Sequence, residues 1–287
     1  MLRLPAVAGQ FYPADPRELT RLVRKFTAED PGARKTRVRA CLVPHAGYIY
    51  SGGVAGAVFS RILFPKRILV LGVRHSPAGE DLAILSEGAW RTPLGDAPLD
   101  EMLAQQIKAA CPGLREDGVA HSREHSLEVE IPFLQILDPG FSFVPVAVGT
   151  LRFEELQELG MGIAQVIKES REEILIVTSS DMNHYEPDET TRIKDAKAID
   201  RMKAVDAGGL FEVCRKEKIS MCGLGPAVVM LTAMKELGVT SGEVVRYATS
   251  GDVNGDRDAV VGYAGMIFAY PAFGENTRGR PSCGGQA

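Results

Sequence analysis

All five histidines of this 287-residue chain lie in short polar motifs beside glycine, proline, aspartate or glutamate. They are Pro44-His45-Ala46-Gly47-Tyr48, Leu71-Gly72-Val73-Arg74-His75, His121-Ser122-Arg123-Glu124-His125 and Ser179-Ser180-Asp181-Met182-Asn183-His184-Tyr185. Imidazole is the commonest biological metal ligand and titrates near neutrality, so this placement points to metal binding or proton transfer. His45 either serves a ligand or caps its own loop, and the Ser51-Gly52-Gly53 run after it reads as loop backbone open to close approach. His75 is either a ligand or a plain loop histidine. The neighbouring Arg74 cation disfavours an imidazolium there and could also bind an acidic substrate. Asp181, three residues before His184, could orient that ring and stabilise its protonated form, which is general acid/base chemistry. The alternative is a helix-start network capped by Asp181 or Asn183.

His121 and His125, four apart, would share one face of a helix, with Glu124, Glu128 and Glu130 close by. The His-Glu-x-x-His order of zinc proteases is absent. His125-Ser126-Leu127-Glu128 also reads as a capped helix start, which gives His125 a supporting role. Cys222, in Ser220-Met221-Cys222-Gly223-Leu224-Gly225, precedes an apolar helix. The helix dipole there would lower the thiol pKa and favour a soft metal ligand or a nucleophile, the alternative being a small buried hydrophobe. Two histidines and one anion form a facial set suited to non-haem iron, and a thiolate as the anion shifts preference towards copper(I) or zinc.

These residues need a scaffold. Apolar runs rich in β-branched residues occur at 38–43, 68–71, 82–85, 141–148, 174–177, 244–248 and 260–268, alternating with helical patterns at 16–26, 53–63, 99–110, 126–137, 153–170, 188–205 and 225–237. Strands buried on both faces and separated by helices imply a three-layer α/β/α architecture around a central, largely parallel or mixed sheet. His45, His75 and the Asp181–His184 pair each follow a strand, so parallel strands would deliver them to one sheet edge, where open α/β sheets bind ligands. A single domain is expected over residues 1–273, with 274–287 as a flexible tail.

Composition sets the class. With 45% hydrophobic and 24% charged residues and no long apolar run, the expectation is a soluble globular protein. The N-terminus lacks the apolar stretch of a secretory signal, and a cytoplasmic location is expected. Five cysteines without a CxxC pair fit a reducing compartment, and Cys41 and Cys214 read as core residues. A net charge of −4 argues against nucleic acid or an anionic membrane as partner. Walker and Gly-x-Gly-x-x-Gly loops are missing, and residues 250–258 fail the EF-hand order, leaving a hairpin or a rim loop.

The ordered set Val7-Ala8-Gly9-Gln10-Phe11-Tyr12-Pro13, Pro44-His45-Ala46-Gly47-Tyr48 with Ser51-Gly52, Gly72 to His75, Glu124-His125-Ser126-Leu127-Glu128, Ser179-Ser180-Asp181 with His184-Tyr185, Cys222-Gly223 and Thr249-Ser250-Gly251-Asp252 resembles the Memo family, whose prokaryotic members are called AmmeMemoRadiSam system protein B. That resemblance spans residues 5–271 and implies a fold similar to class III extradiol dioxygenases. It places His45, His75 and Cys222 at the metal-ligand positions, Cys222 standing where the dioxygenases use glutamate, and His184 with Asp181 at the acid/base position. Arg74, His125 and Tyr48 would touch substrate or support the ligands. It further implies iron(II) or copper, with zinc as an alternative, redox activity, phosphopeptide recognition in the eukaryotic branch, and association with radical S-adenosylmethionine and AMMECR-domain proteins. One departure is Gly72-Val73-Arg74-His75, where the family usually has Gly-Pro-Asn/Ser-His; the Arg74 cation favours an anionic ligand. Three functions follow: a metal-dependent, dioxygenase-like redox protein; a binding protein recognising an anionic ligand or peptide through Arg74; and a hydrolase with Cys222 as nucleophile and His184 as base.

Overall fold

A computed structural model describes residues 1–28 and 34–270. The expected tail at 274–287 lies outside the described residues. The strands are β1 (Leu2–Arg3), β2 (Val38–Val43), β3 (Arg67–Val73), β4 (Leu82–Ile84), β5 (Ala89–Thr92), β6 (Gly95–Pro98), β7 (Arg115–Glu116), β8 (Ser142–Val148), β9 (Ile174–Ser179), β10 (His184–Glu186), β11 (Glu243–Thr249) and β12 (Val260–Ala269). The helices are α1 (Pro16–Thr27), α2 (Tyr48–Phe59), α3 (Glu101–Ala110), α4 (Gly118–Ser122), α5 (Ile131–Leu137), α6 (Phe153–Glu169), α7 (Asp188–Lys203), α8 (Ala207–Lys216), α9 (Leu224–Glu236) and α10 (Gly251–Asn254).

The main sheet runs β10-β12-β2-β9-β3-β8-β4-β7, with β11 also paired to β12. Its centre, β2-β9-β3-β8, is parallel, while β12 and β4 join it antiparallel on either side. The sheet is therefore mixed, as the strand–helix alternation predicts. Alternate residues feed two cores. Ala40, Leu42, Leu69, Leu71, Ile174 and Ile176 point to one face, where α6 and α9 pack; Cys41, Val43, Ile68, Val70, Leu175 and Val177 point to the other, where α1, α2 and α5 pack. Each fully buried aliphatic side chain contributes about 1.5–3 kcal/mol, which is why these runs are continuous in apolar residues.

Some boundaries differ from the sequence reading. The helix expected over 53–63 is α2, which begins at Tyr48, so Ser51-Gly52-Gly53 is helical instead of a ligand-facing loop. A Cβ on Gly56 would lie 2.6 Å from the Phe26 side chain, and one on Gly52 would collide with the Phe26 ring. These glycines let α1 and α2 cross closely. The helix expected over 126–137 is a 3-10 turn at Glu128–Glu130 followed by α5. Helix α8 is masked in the sequence by Gly208-Gly209, poor helix formers, yet Asp206 caps it by accepting from the Gly209 N–H. The 250–258 segment joins antiparallel β11 and β12 through α10, matching the hairpin expectation. Among the described residues no helix is long and apolar enough to cross a membrane.

Candidate metal centre

The parallel centre of the sheet ends its strands at one edge, and three of them release histidine or its supports there. Strand β2 leads to His45, which is buried. Its backbone N–H donates to Asp181 Oδ1 at 2.8 Å, fixing the turn that follows the strand. Its Nδ1 lies 2.8 Å from Ser179 Oγ at the end of β9, and Ser179 Oγ lies 3.0 Å from Glu130 Oε1. On the other side of the ring, Nε2 lies 3.2 Å from Cys222 Sγ.

Strand β3 leads to His75. One carboxylate, Glu124, accepts from both the His75 backbone N–H at 2.7 Å and ring Nδ1 at 2.9 Å. Because a carboxylate only accepts, Nδ1 carries a proton, which leaves Nε2 as the ring atom available to a metal. Burial alone would raise the Glu124 pKa, but the hydrogen bond and charge of His75 and the N–H groups of Ser126 and His75 outweigh it and draw it down to about 2. Ser126 stitches this segment to β3 by accepting from the Val73 N–H at 2.9 Å, and Gly72 gives it room: a Cβ there would meet Ser126 Oγ at 2.6 Å.

His125 completes the group. Its ring stacks on His75 with centroids 4.5 Å apart and planes 21° apart, while Phe11 covers it at 4.8 Å. His45, His75 and His125 each offer one nitrogen, and the three nitrogens lie within 4.8 Å of one another. Three imidazole nitrogens this close are a donor set that could hold a metal ion. The electrostatics favour it. Burial first, then repulsion from the other two imidazoles, pushes His45 well below the usual histidine range, and burial does the same in lesser degree for His125. Imidazoles held in their neutral form, as burial holds His45 and His125, are the form that can ligate a metal.

A model of Memo-like proteins matches residues 3–267. The chain belongs to the Memo family. It is 39% identical to a MEMO1 family protein of Methanopyrus kandleri and 42% identical to one of Aquifex aeolicus, in each case over 93% of this chain and 99% of the relative. The fold is also similar to a crystal structure of an uncharacterised protein from Escherichia coli K12, with a TM-score of 0.55 at 14% identity over 80% of this chain and all of that one.

Several expectations for this Memo-family site change in the structure. His125, read as a support, is a member of the imidazole cluster. Cys222 stands at its margin, against the His45 atom a cation would take. Part of the residue reaches solvent, yet desolvation, with the Asp181 charge beside it, raises the thiol far above its ordinary range, opposite to the helix-dipole expectation. Its imidazole neighbour is His45 and not His184, which removes the geometry of the proposed hydrolase pair. Asp181 holds the His45 and Ala46 N–H groups instead of the His184 ring, and burial pushes its pKa up to about 7. His184 is oriented by Ser220: its backbone N–H donates to Ser220 Oγ at 2.8 Å and ring Nδ1 lies 3.0 Å from the Ser220 carbonyl. Burial chiefly lowers the His184 pKa, and His75 lowers it further.

Arg74 is taken up by partners within the chain. Its guanidinium is bound by Asp81 at 2.7 Å and by the Ser76 carbonyl at 2.8 Å. Tyr48 is a core residue whose hydroxyl donates to the Val129 carbonyl at 2.5 Å and whose ring packs on Phe133. His121 leaves the site altogether, buried edge-on to Trp90, because α4 ends at Ser122 and the chain turns before His125. Glu124, Glu128 and Glu130 are the residues that sequence reasoning undervalued. Their signal was three acids within the seven positions 124–130, just ahead of the apolar run Ile131–Leu134.

Proposed function

We propose that this chain is a metal-dependent redox protein with a dioxygenase-like site, in which His45, His75 and His125 hold iron(II) or copper and Cys222 is available as a further, softer donor. The observation that carries this reading is the convergence of three imidazoles, His45, His75 and His125, at the carboxyl edge of a parallel sheet. The donor set fits: imidazole suits iron, copper and zinc alike, and a neighbouring sulfur tilts the preference towards copper or zinc. Such a metal would supply Lewis acidity and, if redox-active, electron exchange with a bound small molecule.

The protein's own contribution is positional. Glu124 fixes the His75 tautomer, and Ser179 and Asp181 fix the His45 ring and backbone. His184, with Nδ1–H given to the Ser220 carbonyl, keeps Nε2 as a proton acceptor beside the cluster, and its depressed pKa keeps that atom unprotonated near neutrality. Arg74 is committed to Asp81 and the Ser76 carbonyl, and its unpartnered Nε is buried, so recognition of an anionic peptide through it is not favoured.

The test is elemental analysis of untagged protein followed by anaerobic titration with iron(II), copper(I) and zinc. One metal per chain, lost in His45→Ala, is the expected result and justifies screening aromatic diols for oxygen uptake. Equal binding by wild type and His45→Ala would end the proposal.

A further inference from the structure

Behind His45, away from the cluster, runs a line of hydrogen-bonding groups into the core: His45 Nδ1, Ser179 Oγ and Glu130 Oε1, spaced 2.8 and 3.0 Å. Glu130 is 1% exposed. Its second oxygen, Oε2, is buried with no hydrogen-bond partner. The titratable groups facing it are Cys41 of β2, Tyr48 of α2 and Asp181 ahead of β10, none of them a cation. This differs from the other two acids of the segment, Glu124 against His75 and Glu128 against Arg3. A buried carboxyl without a cation is held neutral, and burial accordingly drives the Glu130 pKa well above its ordinary range, with Asp181 adding to the rise.

We infer that Glu130 is the site's proton reservoir: a neutral acid in the metal-free protein that becomes a carboxylate when a cation occupies His45, through a shift of protons along Ser179. The line supports two states. In the first, Glu130 Oε1–H donates to Ser179 Oγ, Ser179 O–H donates to His45 Nδ1, and the ring proton sits on Nε2, facing Cys222 Sγ. In the second, His45 Nδ1–H donates to Ser179 Oγ, Ser179 O–H donates to a Glu130 carboxylate, and Nε2 carries a bare lone pair. Passing from the first to the second releases one proton from Nε2 to solvent. The Ser179 proton moves to Nδ1, the Glu130 proton moves to Ser179, and the negative charge remains on Glu130. Only the second state can bind a cation, and the buried negative charge it creates offsets the positive charge that arrives.

The inference rests on the metal reading above, and the experiment separates the two. Zinc, which is redox-silent, is titrated calorimetrically into wild type, Glu130→Gln, Ser179→Ala and His45→Ala between pH 6 and 8, in buffers of different protonation enthalpy. Wild type is expected to release about one proton more per zinc than Glu130→Gln or Ser179→Ala, so that its affinity gains about tenfold more per pH unit than theirs. A residue that only shaped the core would change affinity without changing the proton count. Equal proton release in wild type and both relay variants overturns the reservoir while leaving the metal site standing. Equal zinc binding in wild type and His45→Ala overturns both. If Glu130→Gln fails to fold, Ser179→Ala, which interrupts the same line with a smaller change, decides the question alone.

Discussion

Two carboxylate-rich regions of this molecule use the same residue types to different ends. In the segment from Glu124 to Glu130, the three acids are nearly solvent-free, and each has its own partner: His75, Arg3 and Ser179. On the outer side of the hairpin formed by β11 and β12, Asp188 and Asp252 share Arg192 and Arg257, with both arginines and Asp252 about a third to a half exposed. The surface set ties α7 to the hairpin in water, where attraction is screened. The buried set cannot be satisfied by water, so its members rely on fixed protein donors: Glu128 accepts from Arg3, Tyr12 and the Ala6 and Val7 N–H groups, and Glu124 from His75 and the Ser126 N–H. Burial, and not acidity, makes the first region part of a site.

The largest effect should come from breaking the buried ion pair. Arg3→Ala removes the guanidinium that pairs with Glu128 in the core and lies 4.1 Å over Trp90; urea unfolding should show a loss of about 3–5 kcal/mol. A loss as small as that of an exposed pair would erase the distinction between the regions. Next, Glu124→Gln keeps the shape but weakens the hold on His75 Nδ1, and metal affinity by competition titration should fall about 10–100-fold with the fold intact. An unchanged affinity would show that Glu124 does not act on the cluster.

The sequence made the scaffold more legible than the site. Apolar runs such as 38–43 appear as β2 without adjustment, because a strand buried on both faces has few other ways to be written. His45 and His75 were recognisable from their position after such strands. Which partner orients each ring was not, since Asp181 reaches the His45 backbone and Ser220 reaches His184 through loops that adjoin only in three dimensions. The four-residue spacing of His121 and His125 suggested a shared helical face, but α4 ends between them.

Acid–base behaviour sharpens the contrast further. Glu124, drawn down to about 2, contributes stability that is complete above its unfolded value of about 4.3 and is lost as the pH falls towards 2. Asp181, pushed up to about 7, works in the opposite sense: the folded state binds its proton more tightly than the unfolded chain, so stability declines as pH rises from about 4 through 7. Metal-free Asp181→Asn should therefore gain on wild type in thermal unfolding between pH 5 and 8; a constant difference would mean that Asp181 does not titrate in this range. The smallest effect belongs to the surface set, where Asp252→Asn should cost no more than about 1 kcal/mol and less in high salt. A larger, salt-insensitive cost would show that the hairpin network is not a solvated one.

The order of strands in the sheet has a consequence for how the chain is made. Strand β2, which carries His45, is synthesised early, yet it lies between β9 and β12, and β12 ends the described chain. Until those strands have left the ribosome, His45 has neither the Ser179 nor the Asp181 that holds it, and Phe11 waits likewise for His125. A nascent chain would thus present separated, unsupported imidazoles until β9 and β12 have emerged, and the arrangement described here forms only once both have paired with β2.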